Sequence, residues 1–184
     1  RAVVERGDDD QDRVGAHRAR FGDLPGVDHE VLAQRGKGAG GTRGDARLPP
    51  LLVALSLFYV GGMFLNDAFD RDFDARHRRD RPIPSGQVAA TTVFRAGFGL
   101  LAAGLALLAW VGYGVAGGTG WPPLAAGMAL GLCIVFYDAY HKQNPLSPVV
   151  MGLCRMLVYV VAAAAIAGEP PRAVFAMGLL LLAY

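Results

Sequence analysis

The chain has 184 residues, a formal net charge of +2 and 53% hydrophobic residues, enough material for a single soluble domain or a single membrane bundle. So small a net charge, with no aromatic-interleaved basic patch, argues against a nucleic-acid-binding protein. The apolar residues are gathered into long runs rather than spread at amphipathic spacing, which favours the membrane bundle.

Residues 1–48 hold nine Lys/Arg, nine Asp/Glu and a single aromatic, Phe21. A segment this polar cannot bury enough apolar surface to offset its ordering entropy, and it is expected to be poorly ordered or the product of a reading-frame error. No basic start followed by an apolar core marks a signal peptide. From residue 49 onward the chain reads as a transmembrane domain.

The first run, Leu51 to Leu65, opens with Pro49-Pro50 and carries Gly61-Gly62, small residues that allow a neighbouring helix to approach. It reaches a spanning length only if the helix continues through Asn66 and Asp70. The stretch 66–86 follows at once and holds five of the seven acidic residues found after residue 48. In a continuing helix Asn66, Asp70 and Asp74, spaced i, i+4, i+8, line one face. Oxygen-only side chains in a stripe suit a hard divalent cation such as Mg2+, which keeps waters and is commonly completed by substrate phosphates. The alternative is a solvated helix end in which Asp70, Asp72 and Asp74 pair locally with Arg71, Arg76, Arg78 and Arg79.

A second run, Val88 to Val111, is interrupted only by Arg95, placed to snorkel to the surface carrying the acidic stretch. Residues 112–123 form an uncharged Gly/Pro loop with Tyr113 and Trp121, aromatics suited to an interface. A third run, Leu124 to Tyr137, ends in Asp138, Tyr140, His141 and Lys142, and a fourth, Pro148 to Ala167, contains Arg155. A guanidinium in hydrocarbon costs roughly 2.5 to 3.5 kcal/mol on insertion scales, so Arg155 needs a partner, with Asp138 and the Asp stripe as candidates. A fifth run begins at Ala173 and reaches the end of the sequence, which is expected to be a fragment. Cys133 and Cys154 sit inside apolar runs as small buried hydrophobes, and nothing in the sequence asks for a disulfide. Alternation of the spans puts loop 71–81, with five Arg, and loop 138–147, with His141 and Lys142, on one side, and the Lys/Arg excess makes that side cytoplasmic.

Asn66-Asp-x-x-Asp70-x-x-x-Asp74, followed by Arg81-Pro-Ile-Pro-Ser-Gly86, resembles the first aspartate-rich motif and adjoining loop of the UbiA family of intramembrane prenyltransferases. The resemblance covers residues 49–184. It implies an all-α, multi-helix transmembrane bundle that binds a prenyl diphosphate through Mg2+ and moves the prenyl group to a small, lipid or aromatic acceptor. On that pattern Asn66, Asp70 and Asp74 are the metal ligands; Asp70, Asp74, Lys142 and Tyr137 are catalytic; and Asn66, Arg81, Tyr140, His141 and Arg155 bind substrate. Tyr137, followed by His141 and Lys142, is similar to the family's Tyr and paired basic residues, with His where Lys is usual. The string from Tyr137 to Arg155 resembles the EboC-like branch. The family's second aspartate motif falls beyond Tyr184. The expected setting is the bacterial cytoplasmic membrane. The rival reading is a non-catalytic protein of the same fold that carries an isoprenoid or other lipid, and a phosphatidyl-type transferase ranks last because its extended Asp-Gly-x-x-Ala-Arg signature is absent.

Overall fold

The structure is a computed structural model that describes residues 45–142 and 144–183, with side chains to residue 180. The polar segment expected over residues 1–48 lies, as far as residue 44, outside the described residues. Six helices follow: α1 (Leu48–Phe69), α2 (Arg71–His77), α3 (Ala90–Tyr113), α4 (Pro122–Tyr140), α5 (Ser147–Ala167) and α6 (Arg172–Ala183). Among the described residues there is no strand. Helices α1, α3, α4 and α5 are long and apolar enough to cross a membrane. This is the all-α transmembrane bundle that the apolar runs predict.

Prolines sit in the first turns of α1, α4 and α5, where the missing N–H would be unsatisfied in any case. α1 does continue past Leu65, as its length requires. Its regular geometry relaxes at Asp70 (ψ −5°), yet the i to i−4 bonds persist, from Asp70 N–H to Asn66 O (2.9 Å) and from Asp74 N–H to Asp70 O (2.9 Å). The polar stretch is therefore partly helical, as α2, rather than a loop throughout.

α1 packs most extensively on α3, and α4 on α5. Glycine sets the α1/α3 separation: a Cβ on Gly97 would lie 2.7 Å from Leu65 Cγ, and one on Gly61 would lie 3.0 Å from Gly97 O. Gly61 was expected to admit a neighbour; Gly97 is the residue it admits. The core between these helices comprises Ala54, Phe58, Leu65, Leu101, Leu108 and Leu130, all buried.

Each end of the bundle has its own polar clasp. At one end Arg47 donates from Nη1 to the carbonyls of Gly117 and Ile166 (both 3.0 Å), tying the start of α1 to the α3–α4 loop and the end of α5. Its hydrogen bonds to Asp45 hold that carboxyl down at about 2. Exposed Tyr113 and Trp121 belong to that same end, as interface aromatics would. The other end carries α2, the loop to α3 and the α4–α5 turn, so the two basic loops share one side as their charge predicts.

Candidate functional site

Helices α1 and α4 leave the apolar layer side by side, and their last turns face each other in matching register. Asn66 Nδ2 donates to Asp138 Oδ1 at 3.3 Å. One turn further on, Lys142 Nζ meets Asp70 Oδ1 at 2.8 Å. The match follows from spacing: Asn66 and Asp70 are four residues apart on α1, and Asp138 and Lys142 are four residues apart at the end of α4. Lys142 also lies over the Phe73 ring, 3.7 Å from its centroid. His141 stacks on Tyr137 and turns Nδ1 towards the carbonyls of Tyr137 and Asp138 (both 3.2 Å). Its Nε2 points towards Asp70 at 3.8 Å.

Beneath this ladder lies a cavity of about 430 Å³ between α1, α4 and α5. Leu55, Phe58, Met63, Leu130, Ile134 and Val158 make its walls apolar, while Asn66, Asp67, Tyr137, Asp138 and Arg155 bring polar groups to it. An apolar chamber with a few convergent polar groups at one end suits a molecule with a long hydrocarbon body and a polar head.

Asp74 departs from the stripe. It is 2% exposed, and its Oδ2 accepts from Arg81 Nη1 at 3.0 Å. The same Nη1 reaches Asp67 Oδ1 at 3.0 Å, so Arg81 pins the Arg81-Pro-Ile-Pro-Ser-Gly86 loop against both α1 and α2. These three residues line a second, smaller cavity of about 260 Å³ with Phe64, Ile83 and Val93. Of the expected pairs between Asp70, Asp72 or Asp74 and Arg71, Arg76, Arg78 or Arg79, the described residues show Asp72 with Arg71, at 3.6 Å and exposed. Arg76 and Arg79 donate instead to the carbonyls of Asp72 and Ala75.

The structure thus brings Asn66, Asp70, Tyr137, His141 and Lys142 together, with Arg155 in the wall of the same cavity. Asp74 and Arg81 form a separate cluster. Tyr140 is 62% exposed, packs on Phe136 and lines neither cavity. The partner expected for Arg155 is corrected: among the described residues it meets no carboxylate, its side-chain hydrogen bond runs to Met151 Sδ at 3.6 Å, and it lines the cavity between α1, α4 and α5.

Sequence reasoning did not assign Asp138 to the site, nor Asp67 and Phe73. The repeated four-residue spacing of Asn66/Asp70 and Asp138/Lys142 was the available signal for Asp138. Cys133 and Cys154, distant in sequence, place their sulfurs 3.3 Å apart as free thiols.

The donor set can be weighed against Mg2+. Its chemistry fits, being oxygen throughout, and Asp74 Oδ1 is buried without a partner. Its placement is not a ready-made nest: among the described residues no three His, Cys, Asp or Glu side chains converge, because Asp70 and Asp74 turn to different cations. Asn66 and Asp70 on one face therefore supply only part of a coordination shell, as expected of Mg2+ completed by waters and phosphate oxygens.

A helical bundle with four spans among the described residues and an apolar cavity ending in amide, carboxylate and ammonium groups defines an integral membrane protein. The chain belongs to the UbiA prenyltransferase family, whose model matches residues 38–184. It is 34% identical over 97 residues to a digeranylgeranylglyceryl phosphate synthase of Methanoregula boonei, covering 52% of this chain and 31% of the relative. A protoheme IX farnesyltransferase of Korarchaeum cryptofilum is 34% identical over 120 residues, covering 63% of this chain and 38% of the relative. A second digeranylgeranylglyceryl phosphate synthase, from Metallosphaera sedula, is 37% identical over 62 residues, covering 34% and 22%. The chain thus spans between 22% and 38% of the length of these relatives. No solved structure matches it.

Proposed function

We propose that this chain is part of a membrane prenyltransferase that moves a prenyl group from a prenyl diphosphate to a small or lipid acceptor with the help of Mg2+. The observation that carries the reading is the junction of the apolar cavity with the Asn66–Asp138 and Asp70–Lys142 ladder. The hydrocarbon body of the donor occupies the chamber, and its diphosphate lies at the ladder. The printed names of the relatives, a farnesyltransferase among them, make an isoprenoid group the substrate class to test.

Mg2+, held by Asn66 and Asp70 and approached by Asp74, would neutralise charge on the departing diphosphate. The protein's own groups do the rest. Lys142 supplies an ammonium beside Asp70, and Arg155 a guanidinium in the cavity wall, both placed to receive phosphate oxygens. The C–O bond to the diphosphate breaks with its electron pair leaving on the diphosphate oxygen, an electron pair of the acceptor forms the new bond to the carbon of the allylic cation, and the proton the acceptor loses passes to the released diphosphate. Tyr137, lining the cavity, offers its ring face to the cation, and the apolar walls exclude water that would compete with the acceptor. Arg81 steadies the loop through Asp67 and Asp74 and is available to the diphosphate from that side. His141 takes a supporting position against Asp70, while Tyr140, exposed and outside both cavities, is given no role in the transfer.

The Arg-rich end is assigned to the cytoplasmic side of a bacterial membrane on the Lys/Arg rule. The residues from Tyr137 to Arg155 support the EboC-like branch, a narrower placement than the relatives named above carry. Membranes bearing the full-length protein, incubated with radiolabelled prenyl diphosphates and a lipid extract, are expected to give a Mg2+-dependent labelled product. Retention of the diphosphate without product would overturn transfer and leave the carrier reading.

A further inference from the structure

We propose that Asp138, which lies outside the aspartate-rich motif, is a positioning residue that orients the Asn66 amide so that its carbonyl oxygen is presented to the divalent cation. The inference rests on the reading of Asn66 and Asp70 as cation ligands.

An amide has two unlike ends, an NH2 that donates and a C=O that accepts, and only the second binds a cation. Asn66 by itself does not determine which end faces the site. Asp138 removes the ambiguity: the Asn66 NH2 donates to Asp138 Oδ1 at 3.3 Å, which fixes the end of the amide that faces α4. The carbonyl oxygen is thereby turned away from Asp138. Asn66 and Asp70 lie one turn apart on the same face of α1, and their α4 partners, Asp138 and Lys142, are likewise one turn apart. With its NH2 taken by Asp138, Asn66 has its amide oxygen left for a cation bound on the helix face it shares with Asp70.

Two observations show that Asp138 is built to do this rather than to solvate a helix end. It is 5% exposed, whereas Asp72 in the neighbouring acidic stretch is 77% exposed. Its second oxygen, Oδ2, is buried with no hydrogen-bond partner among the described residues, so Asn66 is the one side chain seen to anchor it. A buried carboxylate in that condition is costly, and its hydrogen bond to Asn66 is correspondingly directional. Partners that orient a ligand in this way typically alter metal affinity by about 10- to 100-fold when removed.

The test uses the full-length protein in lipid nanodiscs with farnesyl thiodiphosphate, following Mn2+ binding by electron paramagnetic resonance, together with the thermal midpoint of each variant. Asp138→Asn keeps the shape but supplies an NH2 of its own, freeing the Asn66 amide to turn over. Mn2+ affinity is expected to fall at least about tenfold at an unchanged midpoint. The exchanged pair Asn66→Asp/Asp138→Asn restores one carboxylate facing one amide, with an oxygen always left for the cation. Its affinity is expected to return to within about threefold of the unaltered protein, a recovery that a packing role for Asp138 does not predict. Should Asp138→Asn fail to fold, the exchanged pair decides alone: weak Mn2+ binding by a folded exchanged pair overturns the proposal. Full Mn2+ affinity in Asp138→Asn, with loss in Asp70→Asn, overturns the role of Asp138 and leaves the cation site standing. Absence of Mn2+ binding by the unaltered protein overturns both.

Discussion

Asp70 and Lys142 meet at 2.8 Å across the ends of α1 and α4, and the ammonium sits at the same time over the ring of Phe73. Asp70 is 13% exposed and Lys142 34%, so the pair is neither a surface contact nor a sealed one. A carboxylate held in this way has a counter-ion ready before any ligand arrives. On the proposed function, a diphosphate would let Lys142 exchange a carboxylate oxygen for a phosphate oxygen and free Asp70 for the cation.

Asp70→Asn therefore separates a cation site from a charge network. The substitution keeps the size of the side chain and removes the charge that a divalent ion needs. Mg2+-dependent retention of a prenyl diphosphate analogue by the full-length protein is expected to fall about 10- to 100-fold at unchanged membrane yield. Equal retention in both proteins would sink the metal assignment, because an ion pair of this exposure is by itself worth only about 1 kcal/mol.

Arg81→Ala strands the buried carboxylate of Asp74. Loss of a partner from a buried pair costs about 3 to 5 kcal/mol, and the 37% exposure of Arg81 reduces this to about 1 to 3 kcal/mol. Thermal unfolding in detergent is expected to show the loss, and Asp74→Asn placed on top of Arg81→Ala should recover part of it. A midpoint unaffected by Arg81→Ala would mean that the loop after α2 is not held by this pair.

Gly97→Ala tests the α1/α3 contact. The new methyl group would lie 2.7 Å from Leu65 Cγ and 3.1 Å from Gly61 O, and one of these neighbours is backbone. Overpacking of this kind costs about 1 to 3 kcal/mol. Gly99→Ala is the matched control, since a Cβ there meets nothing within 4 Å, and it should leave the thermal midpoint unchanged or slightly raised. Equal midpoints for the two variants would argue against close helix approach at Gly97.

The two ends of the bundle should also be distinguishable in vesicles. In a background with Cys133 and Cys154 replaced by Ser, Arg79→Cys is expected to react with an impermeant maleimide from the cytoplasmic face and Tyr113→Cys from the opposite face. Labelling of both from the same side would contradict the paired arrangement of the basic loops.

The four spans, their order and the shared side of the two basic loops were all legible in the sequence, because they depend on quantities that are local and additive: apolar run length, loop charge, and proline or glycine at run boundaries. The Asn66, Asp70 and Asp74 spacing likewise named the face of α1 that matters. What spacing could not reveal is which partner each oxygen takes. Asp74 shares the stripe but lies beyond the slackened turn at Asp70, and the loop folding back through Arg81 captures it; that return path is a property of the chain in three dimensions. Asp138 read as a candidate partner for Arg155, whereas the packing of α4 beside α1 sets it against Asn66. Arg155 seemed to require a carboxylate, because a guanidinium in hydrocarbon does. The tertiary structure instead gives it a place at the cavity wall with no carboxylate beside it among the described residues. Periodicity fixes the face on which a side chain lies, whereas its charge partner depends on which helices become neighbours, and here that was decided by the glycines that let α1 and α3 approach and by the register in which α1 meets α4.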